Sequence, residues 1–190
     1  MLNYFKFIEI IISLQSIFIS TMIPVFVTLP SSNNLKYSLE FPTSWQIPVV
    51  ILITLLFKKK VIYTSLIIYI FLGLFVIPIF HDGGSLGYLL TPNFGYILGF
   101  FPLITIIDYL NKEKKIYILK FLKSGILGIS ALHLTGIFYN FFQILFHKEI
   151  NIFLYNIGKY SFGKIGYHFL LLIPIIILIK GINSSKFRSL

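Results

Sequence analysis

The chain of 190 residues contains no cysteine. Disulfides, thiolate nucleophiles and cysteine metal sites are therefore excluded, and the redox compartment stays open. Charge is scarce as well. Only 12% of residues are Asp, Glu, Lys or Arg, and 6 are acidic. A soluble domain carries roughly a quarter charged residues, so too little charge is present to cover a soluble surface. No two carboxylates share a helix face for acid–base work. The chain has no G-x-x-x-x-G-K-S/T phosphate loop and no H-E-x-x-H. The four histidines, His81, His133, His147 and His168, lack the spacing of a metal site. These absences leave an enzyme, a P-loop ATPase and a metal centre without support, and no cofactor is expected.

What is present is apolar. Hydrophobic residues make up 57% of the chain, and the mean hydropathy is +0.90. A spanning helix needs about 20 mostly apolar residues. Six segments answer: about 4–29, 45–57, 61–80, 94–109, 116–146 and 165–182. The expected fold class is thus all-α, a polytopic integral membrane protein with six transmembrane helices forming one membrane domain over residues 1–190. The second segment is short. The fourth is short too, which leaves a re-entrant path open. The first carries Lys6 and Glu9 without a small-residue cleavage site, so it reads as a retained helix rather than a signal peptide.

The formal net charge is +10. Its basic residues fall in short stretches between apolar runs, which fits lipid and topology better than nucleic acid. With the N-terminus inside, Lys36, Lys148, Lys159 and Lys164 lie outside and the other 12 of the 16 Lys and Arg lie inside. The positive-inside rule then places both termini in the cytoplasm. Residues 30–43, 81–93 and 147–164 become the outer loops. Lys58, Lys59 and Lys60 serve topology and meet anionic headgroups.

Polar residues inside a span are costly and mark function or helix contacts. In the fifth segment His133, Gly136, Asn140 and Gln143 are spaced by three, four and three, which lines one helix face. That stripe faces a ligand or glues helices together; both readings fit. In the first segment Ser13, Ser16 and Ser20 form a small-residue stripe that permits close backbone approach to a helix of this chain or of a partner.

One stretch breaks the apolar pattern: Ile77-Pro78-Ile79-Phe80-His81-Asp82-Gly83-Gly84-Ser85-Leu86-Gly87-Tyr88-Leu89-Leu90-Thr91-Pro92-Asn93-Phe94-Gly95-Tyr96. Around it, residues 41–100 resemble the BioY family, the biotin-binding membrane subunits (S components) of energy-coupling factor transporters. The family's V-P-x-T-x-Q element answers to Phe41-Pro42-Thr43-Ser44-Trp45-Gln46. Its G-x-x-G-L-P-V-F run answers to 72–80, and a glycine-rich loop follows at 83–90. Its G-P-T-G-G-Y-L-x-G-F element answers to Thr91-Pro92-Asn93-Phe94-Gly95-Tyr96-Ile97-Leu98-Gly99-Phe100.

The resemblance implies a subunit that captures biotin at the outer side of the membrane, with a coupling subunit and ATPase subunits as partner chains. Biotin joins an apolar ring and chain to a polar ureido group and a carboxylate, so its pocket needs aromatic walls and a few fixed polar groups. The residues expected at the ligand are Asn93, Tyr88, Tyr96 and Asn140, with Gln46, Asp82, Gly83, Gly84 and Lys180 as further candidates. The expected pocket lies among the outer ends of helices four to six. Ser13, Ser16 and Ser20 would dock the coupling subunit. The chain departs from the family where a closing P-x-D-x-x-K is expected: Pro174 and Lys180 are present, and Ile177 stands in the Asp position. That departure keeps two alternatives in view, a membrane protein that retained the fold for a structural or assembly role, and an S component for a different vitamin.

Overall fold

The structure, a computed structural model, describes residues 2–29, 37–81, 83–113, 116–147 and 150–184. Helix α1 (Leu2–Met22) leads into an antiparallel pair of strands, β1 (Pro24–Leu29) and β2 (Tyr37–Ser44). Helices α2 (Gln46–Leu56) and α3 (Lys59–Phe75) follow, joined at Phe57-Lys58. A 3₁₀ turn (Leu86–Leu90) precedes α4 (Pro92–Leu98) and α5 (Phe100–Leu110). Helix α6 (Ile118–His147) is the longest. The last segment comprises α7 (Ile150–Ile157), a π-type turn (Gly158–Phe162), α8 (Gly163–Leu170) and α9 (Leu172–Ser184).

The chain is mostly helical, as expected, and the strand pair is its departure from an all-α fold. Pro24 cannot continue α1, and the Val25-Phe26-Val27-Thr28 run favours an extended backbone. The first helix therefore ends at Met22 rather than Leu29. Val25 pairs with Phe41, and the Trp45 amide donates to the Ile23 carbonyl at 3.1 Å, tying the end of α1 to the start of α2. The third helix stops at Phe75, short of the expected residue 80, because Pro78 disfavours helix before it. The last apolar segment starts at Ile150 rather than at 165. Lys159 and Lys164 had lowered its hydropathy enough to read as loop.

Among the described residues, four segments are long and apolar enough to cross a membrane: Tyr4–Met22, Pro92–Leu110, Ile118–Ile144 and Ile150–Gly181. The fourth expected span is thus full length, through Gly99. Helices α2 and α3 are shorter, with 11 and 17 residues. Helix α6 packs on α4 and α5, and α1 packs on α2 and α3. Ile51, Ile62, Leu66, Leu103, Ile129 and Leu132 fill the interior, while Phe71, Leu134, Phe138, Leu154 and Ile177 project outward as the apolar surface that lipid wants.

In lipid, helices associate by close packing rather than by hydrophobic exclusion. Helices α4 and α6 show how. Tyr139 of α6 sits over Gly95 and Tyr96 of α4 sits over Gly136: a Cβ on Gly95 would stand 2.4 Å from the Tyr139 Cβ, and one on Gly136 would stand 2.4 Å from the Tyr96 ring. On α1, the buried residues are Ser13, Ile17, Ser20 and Thr21. Ser65 of α3 donates to the Ile10 carbonyl at 3.1 Å, and the Thr21 hydroxyl meets that of Tyr69 at 3.3 Å. Ser13 and Ser20 therefore lie in a seam within this chain and not on an outward docking face. Ser16 is half-buried and bonds its own helix at Ile12.

Candidate functional site

A cavity of about 570 Å³ opens where the hairpin, the 77–91 loop and the last segment meet. That volume lies within the range of small-molecule sites. Thr21 and Met22 reach it from α1, residues 40–44 from β2, Gln46 from α2 and Tyr69 from α3. His81 and Tyr88 come from the loop, Asn93 and Tyr96 from α4, and Lys159, Tyr160, Lys164 and His168 from the last segment. Phe41, Ile47, Ile97, Phe100 and Leu132 make much of its wall apolar. The cavity thus draws on every helical segment rather than on helices four to six alone.

The 77–91 loop is shaped by backbone contacts. Phe80 and Gly83 exchange hydrogen bonds of 2.9 and 3.1 Å, and Gly83 has φ +119°, a conformation open chiefly to glycine. Gly84 passes so close to α3 that a Cβ would lie 2.6 Å from the Gly73 carbonyl oxygen and 2.5 Å from the Pro78 Cα. Ser85 then donates its amide to Gly73 at 2.9 Å. Phe80 is buried between Tyr69 and Tyr88, with ring centroids at 5.3 and 4.5 Å, and so supports Tyr88 at the cavity wall.

Among the expected residues, the structure brings Gln46, Tyr88, Asn93 and Tyr96 together at the cavity. Gly83 and Gly84 build the loop beside it. Asp82 lies outside the described residues. Asn140 does not line the cavity: its amide donates to the Gly136 carbonyl at 2.8 Å and to that of Pro92 at 3.4 Å. Gln143 donates to Leu90 at 2.9 Å and the Tyr139 hydroxyl to Leu89, so this part of the α6 stripe is glue that holds residues 89–92. Lys180 is exposed on α9, away from the cavity, and Ile177 is 66% exposed on the outer surface. Ser161 and Lys164, a pair with the same i, i+3 spacing as the expected Asp and Lys, lie instead in the part of the last segment that faces the site.

The sequence reading missed Thr43, Lys159, Tyr160, Lys164 and His168 as cavity residues. The two lysines straddle Tyr160, their ammonium groups 5.2 and 5.3 Å from its ring centroid. Against them, among the described residues, the lining holds one carboxylate, Glu40. Gln46 donates to the Tyr69 hydroxyl at 3.2 Å, which also contacts Thr21. His168 meets Thr43 at 2.8 Å and His133 at 2.9 Å. An ionisable residue inside an apolar helix was the available signal for His168; its partner, 35 residues earlier in the chain, was not visible.

The BioY family model matches residues 6–173. A "Probable biotin transporter BioY" of Lysinibacillus sphaericus is 30% identical over 128 residues, which are 66% of this chain and 65% of that protein. The chain thus spans just under two thirds of that relative's length. A protein of the same description from Pyrococcus horikoshii is 30% identical over 119 residues, 61% of this chain and 70% of its own length. The crystal structure of the S-component for biotin from an ECF-type ABC transporter superposes with a TM-score of 0.64 over 97% of this chain and 94% of that one, at 15% identity. It shares the fold.

Proposed function

This chain belongs to the BioY family, and on that premise we propose that it is the membrane substrate-binding subunit that captures biotin for an energy-coupling factor transporter. It is a multi-pass membrane protein. In this reading α2 and α3 cross with the four longer segments to give six crossings, and both termini lie in the cytoplasm. The positive-inside count supports that orientation, since the lysines in the expected outer regions are few and two of them belong to the cavity. A coupling subunit and ATPase subunits on separate chains would supply the energy, because no phosphate loop occurs in this one.

The observation that carries the reading is the cavity's chemistry. Aromatic and aliphatic walls suit the thiophane ring and valeryl chain. Asn93, Gln46, Tyr96 and Thr43 offer donors and acceptors to the ureido group. Lys159 and Lys164 offer charge-assisted bonds to the carboxylate. The assembly-protein alternative drew on Ile177, whose exposed position removes it from the cavity's chemistry.

The test is equilibrium binding of labelled biotin to purified protein in detergent, beside the Asn93→Ala variant. Saturable binding by the wild type, weakened on the order of 10-fold or more in the variant, is expected from loss of one buried polar contact. Absence of binding by folded wild-type protein would remove biotin as the ligand.

A further inference from the structure

Five side chains from five elements form one continuous hydrogen-bonded row. The Tyr96 hydroxyl meets Ser161 Oγ at 2.7 Å, and Ser161 Oγ meets His133 Nδ1 at 3.2 Å. His133 Nε2 meets His168 Nδ1 at 2.9 Å, with the ring centroids 5.1 Å apart and the ring planes inclined by 28°. His168 Nε2 meets Thr43 Oγ1 at 2.8 Å. The two ends, Tyr96 and Thr43, line the cavity, while Ser161 and His133 are buried behind it.

The proton count of this row has a consequence. Each hydroxyl has one proton, and one ring proton on each imidazole completes all four links. A ring that accepts on one nitrogen then donates from the other, and Ser161, whose hydroxyl has hydrogen-bond partners only in Tyr96 and His133 among the described residues, spends its proton within the row, so every bond points the same way. In one polarity Tyr96 donates inward and the Thr43 hydroxyl is left to donate into the cavity, with the Ser44 carbonyl at 3.4 Å as its weak internal acceptor. The phenolic oxygen of Tyr96 can then only accept from a ligand. In the opposite polarity Thr43 donates inward and accepts from a ligand, and Tyr96 donates to it.

We propose that this row makes Tyr96 and Thr43 an obligate donor–acceptor pair, selecting a ligand head group that carries both an N–H donor and a carbonyl acceptor. The ureido ring of biotin is such a group, and this identification rests on the function proposed above. A head group that only donates leaves one end of the row facing it donor to donor. A mismatch of this kind leaves a buried polar group unpaired, and sites built on hydrogen bonds reject such analogues strongly. His133 and Ser161 act through the two end residues, as positioning residues.

Two measurements test the row. Imidazole ¹⁵N NMR of histidine-labelled, ligand-free protein reads the tautomers, with His133→Phe used for assignment. His133 and His168 are expected in the same tautomer, both Nε2–H or both Nδ1–H; opposite tautomers break the row and overturn the proposal. Binding of labelled biotin is then competed with biotin and with an analogue whose ureido carbonyl is replaced to give a donor-only guanidinium. The wild type is expected to prefer biotin by about 10-fold or more, and Ser161→Ala and His133→Phe to lose most of that preference. Repulsion of the cation by the lysines is common to all variants, so the change in the ratio reads the row. An unchanged ratio in a folded variant overturns the proposal, and Ser161→Ala carries the comparison if His133→Phe does not fold. A wild type that binds no biotin removes biotin as the ligand, while the tautomer pair still decides whether the row exists.

Discussion

At the residue scale the two lysines and the paired glycines set the clearest expectations. Lys164 is half-buried at the cavity beside Tyr160, where a carboxylate would be held with little water around it. Lys164→Met is expected to weaken biotin by about 10-fold or more, the range for a lost bond to a charged group. Binding of biotin amide, which has no charge to pair, should change much less, and the ratio of the two affinities is the measurement. Gly136 accepts the Tyr96 ring so closely that Gly136→Ala must push it aside. Overpacking of this kind costs about 1–3 kcal/mol. The variant should melt at lower temperature and bind biotin more weakly, because Tyr96 lines the cavity; an unchanged melt would show that the α4–α6 contact can yield. The reciprocal seat of Tyr139 on Gly95 makes Gly95→Ala a second trial of the same contact. Of these residues, Gly95 and Tyr96 stood in a readable motif. Lys164 did not, since a lysine after an apolar run looks the same whether it ends a helix or turns into a pocket.

At the element scale the hairpin is the unexpected part. Strand β2 supplies residues 40–44 to the cavity and is braced by Phe41, whose ring lies 4.9 Å from that of Tyr167 in α8. The hairpin thus joins the first apolar helix to the last segment across the cavity. Phe41→Ala removes the brace while leaving the polar contacts of Thr43 and Gln46 in place. Faster release of labelled biotin, by several-fold, is expected in a stopped-flow chase, with a smaller effect on association. Equal release rates would mean that the strand holds its place without the aromatic contact. The π-type turn at Gly158–Phe162 is the other element that local pattern did not reveal. It brings Ser161 against Tyr96 while Lys159 within it and Lys164 just after it reach the cavity. Such turns are found at functional sites more often than in plain helix.

At the scale of the whole molecule the question is which end faces which compartment. The absence of cysteine makes labelling clean, because any single introduced thiol reports alone. Leu86→Cys, exposed in the turn beside the cavity, should react with an impermeant maleimide added to intact cells, and Glu113→Cys, between α5 and α6, should react only after lysis. The reverse pattern would invert the proposed orientation. The sequence alone determined that the chain is a membrane protein, where most of its apolar segments lie, and that residues 41–100 carry a BioY-like pattern. Those properties are local: hydropathy is summed over a window, and a motif is read along the chain. The tertiary structure decided that Asn140 and Gln143 tether a loop, that Ser13 and Ser20 are buried within the chain, and that Lys180 stands outside the cavity lining. It also brought His133 to His168 and both to Thr43 and Tyr96. No window of sequence contains that row, because its members lie on five elements between residues 43 and 168. Their meeting depends on how the helices pack, on seats as small as the hydrogens of Gly95 and Gly136, and packing is a property of the whole chain.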